Sequence, residues 1–265
     1  MYYKKLFLLA LVSICFYSCF KNPTDGFKIA GSIENSEDCS HIVGVEAFAY
    51  NFQNNSAHKI SESNYENNYF SFFLPNELKD KFCDVPNKWH LYDAKFEDKL
   101  TFSNKNVKIG TISIYSVNEE YNNDIQQFGY GTLFKNGILY VTFVKTKYIY
   151  AQSALSIKGD YETTIAGVEE GDFAPPKTMV FNLNLQKGWN TVYKVGVFSS
   201  PVSSYYWDID TALVTVTTVK PENIELKWYY YQTNILRMIE KYDFYQPFVI
   251  DYAFDFIYNH YYIYF

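Results

Sequence analysis

From Phe27 to Trp228 the chain is a succession of short runs in which apolar and polar residues alternate, or β-branched and aromatic residues crowd together. Each run is closed by Asn, Asp, Gly or Pro. A period of two puts successive side chains on opposite faces of an extended strand, whereas a helix would need apolar residues at spacings of three and four. This pattern dictates an all-β class, an antiparallel β-sandwich. In Val180-Phe181-Asn182-Leu183-Asn184-Leu185 the apolar Phe181, Leu183 and Leu185 share one face and the asparagines the other. Such half-wet strands suit antiparallel sheets rather than parallel sheets covered on both faces. Leu213 to Val219 and Ile224 to Trp228 repeat the pattern. In Phe134-Lys135-Asn136-Gly137-Ile138, Asn-Gly supplies the two positive-φ residues of a type I′ turn, which predicts a tight hairpin between 130–135 and 138–145.

Punctuation divides the chain further. The runs 27–33, 43–50, 57–62 and 69–75 predict a small β-sandwich over 27–85, its last strand stopped by Pro75. Residues 86–110, with Pro86, Trp89 and mixed charges, read as a linker, and 111–233 as a second sandwich. After Tyr231 the pattern changes. Ile235, Met238, Ile239 and Tyr242 take helical spacing, and after Pro247 the residues Asp251, Asp255 and Asn259 fall at i, i+4 and i+8 in an aromatic run. Residues 234–265 therefore predict a helical aromatic tail, packed or interfacial. Its carboxylates interrupt it too often for an ordinary membrane span. An accidental extension of the reading frame would give the same abrupt change.

The first 18 residues are set apart by another logic. Lys4 and Lys5 precede an apolar stretch from Leu6 to Tyr17, too short to cross a bilayer comfortably, and Ser18-Cys19 stands before the polar 21–25. A basic start, an apolar middle and a small residue at a cleavage site mark an export signal. The cysteine after Ser18 marks lipoprotein processing, with diacylglycerol carried on Cys19; Cys15 follows the bulky Ile14 and fits less well. Residues 19–26 then read as a tether. The expected location is the bacterial cell envelope, held to a membrane through acyl chains at about 0.8 kcal/mol per buried methylene. Phe20 is not an acidic sorting residue, so both inner and outer membranes stay open.

Composition narrows the partners. The formal net charge is −6, and more negative without Lys4 and Lys5, so nucleic acid is not an expected partner. Only one of the 23 basic residues, Arg237, is an arginine. Together with abundant Asn, Ile, Lys, Phe and Tyr, this reads as the codon bias of an AT-rich genome, and the lysines carry no functional signal on that ground. In an oxidising envelope Cys39 and Cys83 could form a disulfide, or serve as two small buried apolar residues.

Chemistry-bearing motifs are sparse. The sequence holds no Gly-x-Ser-x-Gly, His-Glu-x-x-His, phosphate loop or Cys-x-x-Cys, and His41, His58, His90 and His260 lack metal-ligand spacing. No catalytic residue, metal site or cofactor is expected. Asp208 and Asp210, with Glu169, Glu170 and Asp172, could give oxygen ligands or an acid–base pair, but read first as solvated loop charge. Of Trp89, Trp189, Trp207 and Trp228, most are expected in the core. Trp207 is the exception: in Tyr205-Tyr206-Trp207-Asp208 it lies between strands among polar residues, where a loop could present all three rings to a sugar face.

Several segments together carry a resemblance: the signal, Ile29-Ala-Gly-Ser-Ile33, Tyr69-Phe-Ser-Phe-Phe-Leu-Pro75, Asn182 to Asn190, and Lys220-Pro221 through Lys227-Trp228. They resemble uncharacterised lipoproteins of Bacteroidetes over about residues 1–231, and the first β segment resembles transthyretin-like or carboxypeptidase-regulatory-like sandwich domains. The resemblance implies secreted or surface β modules and brings no catalytic residues. The expectation is a lipid-anchored envelope protein, non-enzymatic, that binds a glycan or envelope protein or assists surface assembly. A glycan hydrolase built on the loop carboxylates is the alternative. Replacing Cys19 by Ala should leave an unprocessed precursor of slower electrophoretic mobility; normal processing of that variant would refute the anchor.

Overall fold

A computed structural model describes residues 26–34, 41–51, 56–86, 94–118, 122–164, 176–201 and 211–230. The anchor residue Cys19, Cys39, Trp89, the Tyr205-Tyr206-Trp207 segment and the 234–265 tail all lie outside this set.

Strands dominate what is described. They are β1 (Lys28–Gly31), β2 (Ile33–Glu34), β3 (Gly44–Asn51), β4 (Ser56–Asn64), β5 (Phe70–Phe73), β6 (Leu100–Phe102) and β7 (Ile109–Val117), followed by β8 (Asn122–Lys135), β9 (Ile138–Ala151), β10 (Leu155–Thr164), β11 (Pro176–Leu185), β12 (Gly188–Pro201), β13 (Thr211–Thr217) and β14 (Lys227–Tyr230). Helical geometry among the described residues takes only 3-10 form, in the short turns Asp80–Phe82 and Ala94–Lys99 and at Pro86. The all-β class read from alternation is therefore the observed one. No helix among the described residues is long and apolar enough to cross a membrane.

Two local readings meet their structure directly. Asn136 and Gly137 take φ of 53° and 78°, and Lys135 pairs with Ile138 across the turn they make. On β11, Phe181, Leu183 and Leu185 are buried while Asn182 and Asn184 face water.

Strand order departs from a simple antiparallel arrangement. β11 and β12 leave the two-residue connection Gln186-Lys187, yet they do not remain neighbours. β13 lies between them, antiparallel to β12 and parallel to β11. A strand set between the arms of an antiparallel hairpin must run parallel to one of them, so the mixed pairing follows from the splaying. Asn190 secures the connection: its Oδ1 accepts from the Gln186 N–H at 2.8 Å, and its amide donates to the Gln186 and Gly188 carbonyls at 2.8 and 2.9 Å. The pairing of β14 with β2 is also parallel.

The described residues hold two buried clusters on opposite faces of the central strands. On β9, Tyr148 and Tyr150 join a first cluster with Ile29, Val45, Phe70, Phe72, Ile112, Ile114 and Trp228; Ile149 and Ala151 join a second with Leu100, Ile157, Phe181, Leu183 and Val216. The second draws residues from all seven strands in the order β7-β9-β12-β13-β11-β10-β6. That sheet is therefore curled around its contents, and the connection 103–108 links its first strand to its last.

This arrangement corrects the segmentation read from sequence. Residues 27–85 and 111–233 do not keep separate cores, because β3 pairs with β7 and Trp228 packs among residues of β1, β5 and β9. The stretch 86–110 is not a plain linker: β6 pairs with β10, and Leu100, Val107 and Ile109 are buried. A three-residue strand and isolated apolar positions give no periodicity to read.

Trp228 ties the ends of the described chain together. It is 3% exposed, its indole N–H donates to the Ala30 carbonyl at 3.2 Å, Phe70 meets it edge-on at 5.2 Å and Tyr148 stacks on it at 6.3 Å. Gly31 leaves the notch it occupies, since a Cβ there would overlap the indole Cδ1 and Nε1. Trp228→Ala should cost about 3–5 kcal/mol in urea unfolding. Gly31→Val should destabilise through overpacking by about 1–3 kcal/mol, and much less in the Trp228→Ala background.

Candidate functional site

The ends of several strands meet at one end of the curled sheet. Thr164 pairs with Pro176, bracketing the connection 165–175, and Ser199 pairs with Thr211, bracketing 202–210. Lys177 lies beside Ala212 in the parallel β11–β13 pair, and Pro201 pairs with Ile138, next to the Asn136-Gly137 turn. The topology thus roots two connections and one hairpin tip on the same edge of the sheet. One connection carries Glu169, Glu170 and Asp172; the other carries Tyr205, Tyr206, Trp207, Asp208 and Asp210. Those eight side chains lie outside the described residues, and only their points of attachment are fixed. At the hairpin tip, Leu133 and Phe134 are 60% and 63% exposed. Being consecutive in a strand, they point to opposite faces of the ribbon.

Inward from that end, the concave face carries a layer of lysines. Lys194 of β12 stands directly opposite Lys145 of β9 and Val216 of β13, and Lys147 lies one step further along the same face of β9, opposite Val192. Lys177 lies on the corresponding face of β11, two residues before Met179. Lys194 is only 7% exposed; the other three are half-buried. Lys145, Lys147 and Lys194 each make polar or electrostatic contacts within the protein. Burial pushes the Lys194 ammonium well below its ordinary pKa, and the charges of Lys177, Lys145 and Lys147 push it further. Burial also lowers Lys177. Of the three neighbouring charges Lys177 acts most strongly, although β13 separates it from Lys194 and the register sets it four residues away.

Other described polar groups serve packing. The Cys83 thiol is free and buried, and burial, aided by the charge of Asp80, pushes it up to about 12, so it stays protonated and unreactive. Asp80 receives two hydrogen bonds from Lys108, at 2.9 and 2.8 Å, and one from Gln152 at 3.0 Å, which hold its carboxyl below the usual range. The proposed partner of Cys83, Cys39, is outside the described residues. Ser56 Oγ and His58 Nε2 lie 2.9 Å apart on β4, with the imidazole tilted against Phe82. The indole of Trp189 donates to the Pro75 carbonyl at 2.7 Å and meets Tyr150 edge-on, a role in packing like that of Trp228. Among the described residues no three His, Cys, Asp or Glu converge as metal ligands.

The lysine layer escaped the reading of sequence because lysine abundance was assigned to codon bias. A signal was present in β12: Lys194 stands in phase with Val192 and Gly196 on the buried face. A charged residue at an apolar register position is informative in a way that its overall frequency is not.

No protein-family model, no curated protein and no solved structure matches this chain.

A lysine with a lowered folded pKa penalises folding most at pH values below that pKa. The penalty shrinks as pH rises and is gone above the unfolded value of 10.5. Lys194→Met should therefore equal or exceed the parent in stability at pH 7, by up to about 1–4 kcal/mol. The difference between the two should narrow toward pH 10.5 in denaturant titrations run across pH.

Proposed function

We propose that the chain is a lipid-anchored protein of a bacterial cell envelope, tethered through Cys19, whose β fold presents a non-enzymatic binding site at the loop end of the curled sheet. The observation that carries this reading is the common rooting of connections 165–175 and 202–210 beside the β8–β9 turn. Binding residues are concentrated on loops that a rigid scaffold positions, and here the scaffold is a sheet buried on both faces at its centre. Tyr205, Tyr206 and Trp207 supply aromatic faces of the kind that stack on sugars, which makes an envelope or environmental glycan the favoured ligand class. The Ser18-Cys19 junction supports the tether, and the aromatic tail 234–265 is then a packed or interfacial helix rather than the anchor.

The acidic residues attached at the same end favour a second reading, a glycan hydrolase that uses Asp208 or Asp210. Two carboxylates on adjacent connections could flank a glycosidic bond.

A glycan array decides between them. The parent should bind at least one glycan, and joint replacement of Tyr205, Tyr206 and Trp207 by Ala should weaken binding by tenfold or more with unfolding unchanged. Absence of binding by the parent, or an unaffected triple variant, would overturn the reading. Release of reducing ends that is lost in Asp208→Asn or Asp210→Asn would replace it with the hydrolase.

A further inference from the structure

We propose that Lys145, Lys147, Lys177 and Lys194 form a site for a tetrahedral oxyanion, a sulfate or phosphate group carried on the ligand that enters at the loop end. The inference deepens the binding reading and rests on it for the direction of entry.

The geometry supplies the argument. Lys194 and Lys145 are directly cross-strand, a juxtaposition that destabilises a sheet when both carry charge. Lys147 extends the same row, and Lys177 lies on the same face of the sheet on β11, with β13 between it and Lys194. Four ammonium groups therefore share one concave face, above a floor that includes Ile149, Val192, Phe181 and Val216. Surface lysines spread out into water, whereas these are arranged in depth, with Lys177 next to the strand ends, Lys145 and Lys194 further in and Lys147 furthest, and Lys194 the most buried of the four. The low dielectric around Lys194 raises the strength of any charge-assisted hydrogen bond made there.

The residue type selects the anion. An arginine fork matches a planar carboxylate through two parallel bonds, whereas ammonium groups act as point charges with three rotatable donors each. Several converging ammonium groups suit an anion that offers oxygens in every direction. A tetrahedral sulfate or phosphate does so and a carboxylate does not.

Thermal melting of the full chain in detergent, at matched ionic strength in sodium chloride, sulfate or phosphate, tests the assignment. Sulfate or phosphate should raise the midpoint saturably above chloride, and the anion that acts at the lower concentration names the source. Lys194→Met and Lys177→Gln should each raise the half-saturating concentration tenfold or more, while Lys59→Met, on β4, should not. Lys177→Gln preserves the test if Lys194→Met does not fold. The absence of any shift beyond chloride, or an equal shift in both variants, would show that the lysines serve the fold alone. Either result leaves the glycan-array outcome for Tyr205, Tyr206 and Trp207 standing by itself, so the two readings fail separately.

Discussion

Over Tyr148 to Ala151, strand β9 has no wet face. Tyr148 and Tyr150 point into one buried cluster and Ile149 and Ala151 into the other, so a single four-residue stretch belongs to both cores. Everything else is arranged around this double burial. β7 begins against β9 and ends against β3 and β8, carrying the chain from one layer to the other. Where β8 separates from β9, the Thr146 hydroxyl donates to the Gln127 carbonyl at 3.3 Å, and the Tyr148 hydroxyl donates to the Gln127 side chain at 3.3 Å. The Thr146 side chain thus satisfies a backbone carbonyl where the β8–β9 ladder ends, as burial requires, and Tyr148 pairs with the side chain of the same glutamine.

How much of this was legible depended on the range of the interaction responsible. The Asn136-Gly137 turn and the alternation of Val180 to Leu185 are decided within a few residues, and both were read correctly. The parallel register of β11 with β13 is decided by the splaying of a hairpin around a strand from further along the chain. Local pattern cannot contain it. Division of the chain at residues 86–110 failed for a related reason: Leu100, Val107 and Ile109 form no periodic run, and each is buried by strands distant in sequence. Tyr205, Tyr206 and Trp207 were singled out by their aromatic character and their position between strands. The structure adds the company they keep, since their segment is rooted beside the β8–β9 turn and the acidic connection.

The lysine layer shows how composition can mislead. An average over the whole chain made lysine unremarked background, yet Lys194 occupies a register position that Val192 and Gly196 mark as interior. Placing an ammonium there costs solvation, and placing Lys145 opposite adds repulsion. Neither cost is visible in a charge count. Each of Lys145, Lys147 and Lys194 also makes a polar or electrostatic contact within the protein, and in the proposed complex the oxyanion offsets the cost.

The seat of Trp228 bears on mechanics. Any load applied through the residues before β1 arrives along the axis of β1 and β2. There β1 is held by the antiparallel ladder to β5, β2 by the parallel ladder to β14, and the indole sits across both in the notch at Gly31. Such a pull shears several hydrogen bonds and a buried ring at once instead of opening them one after another.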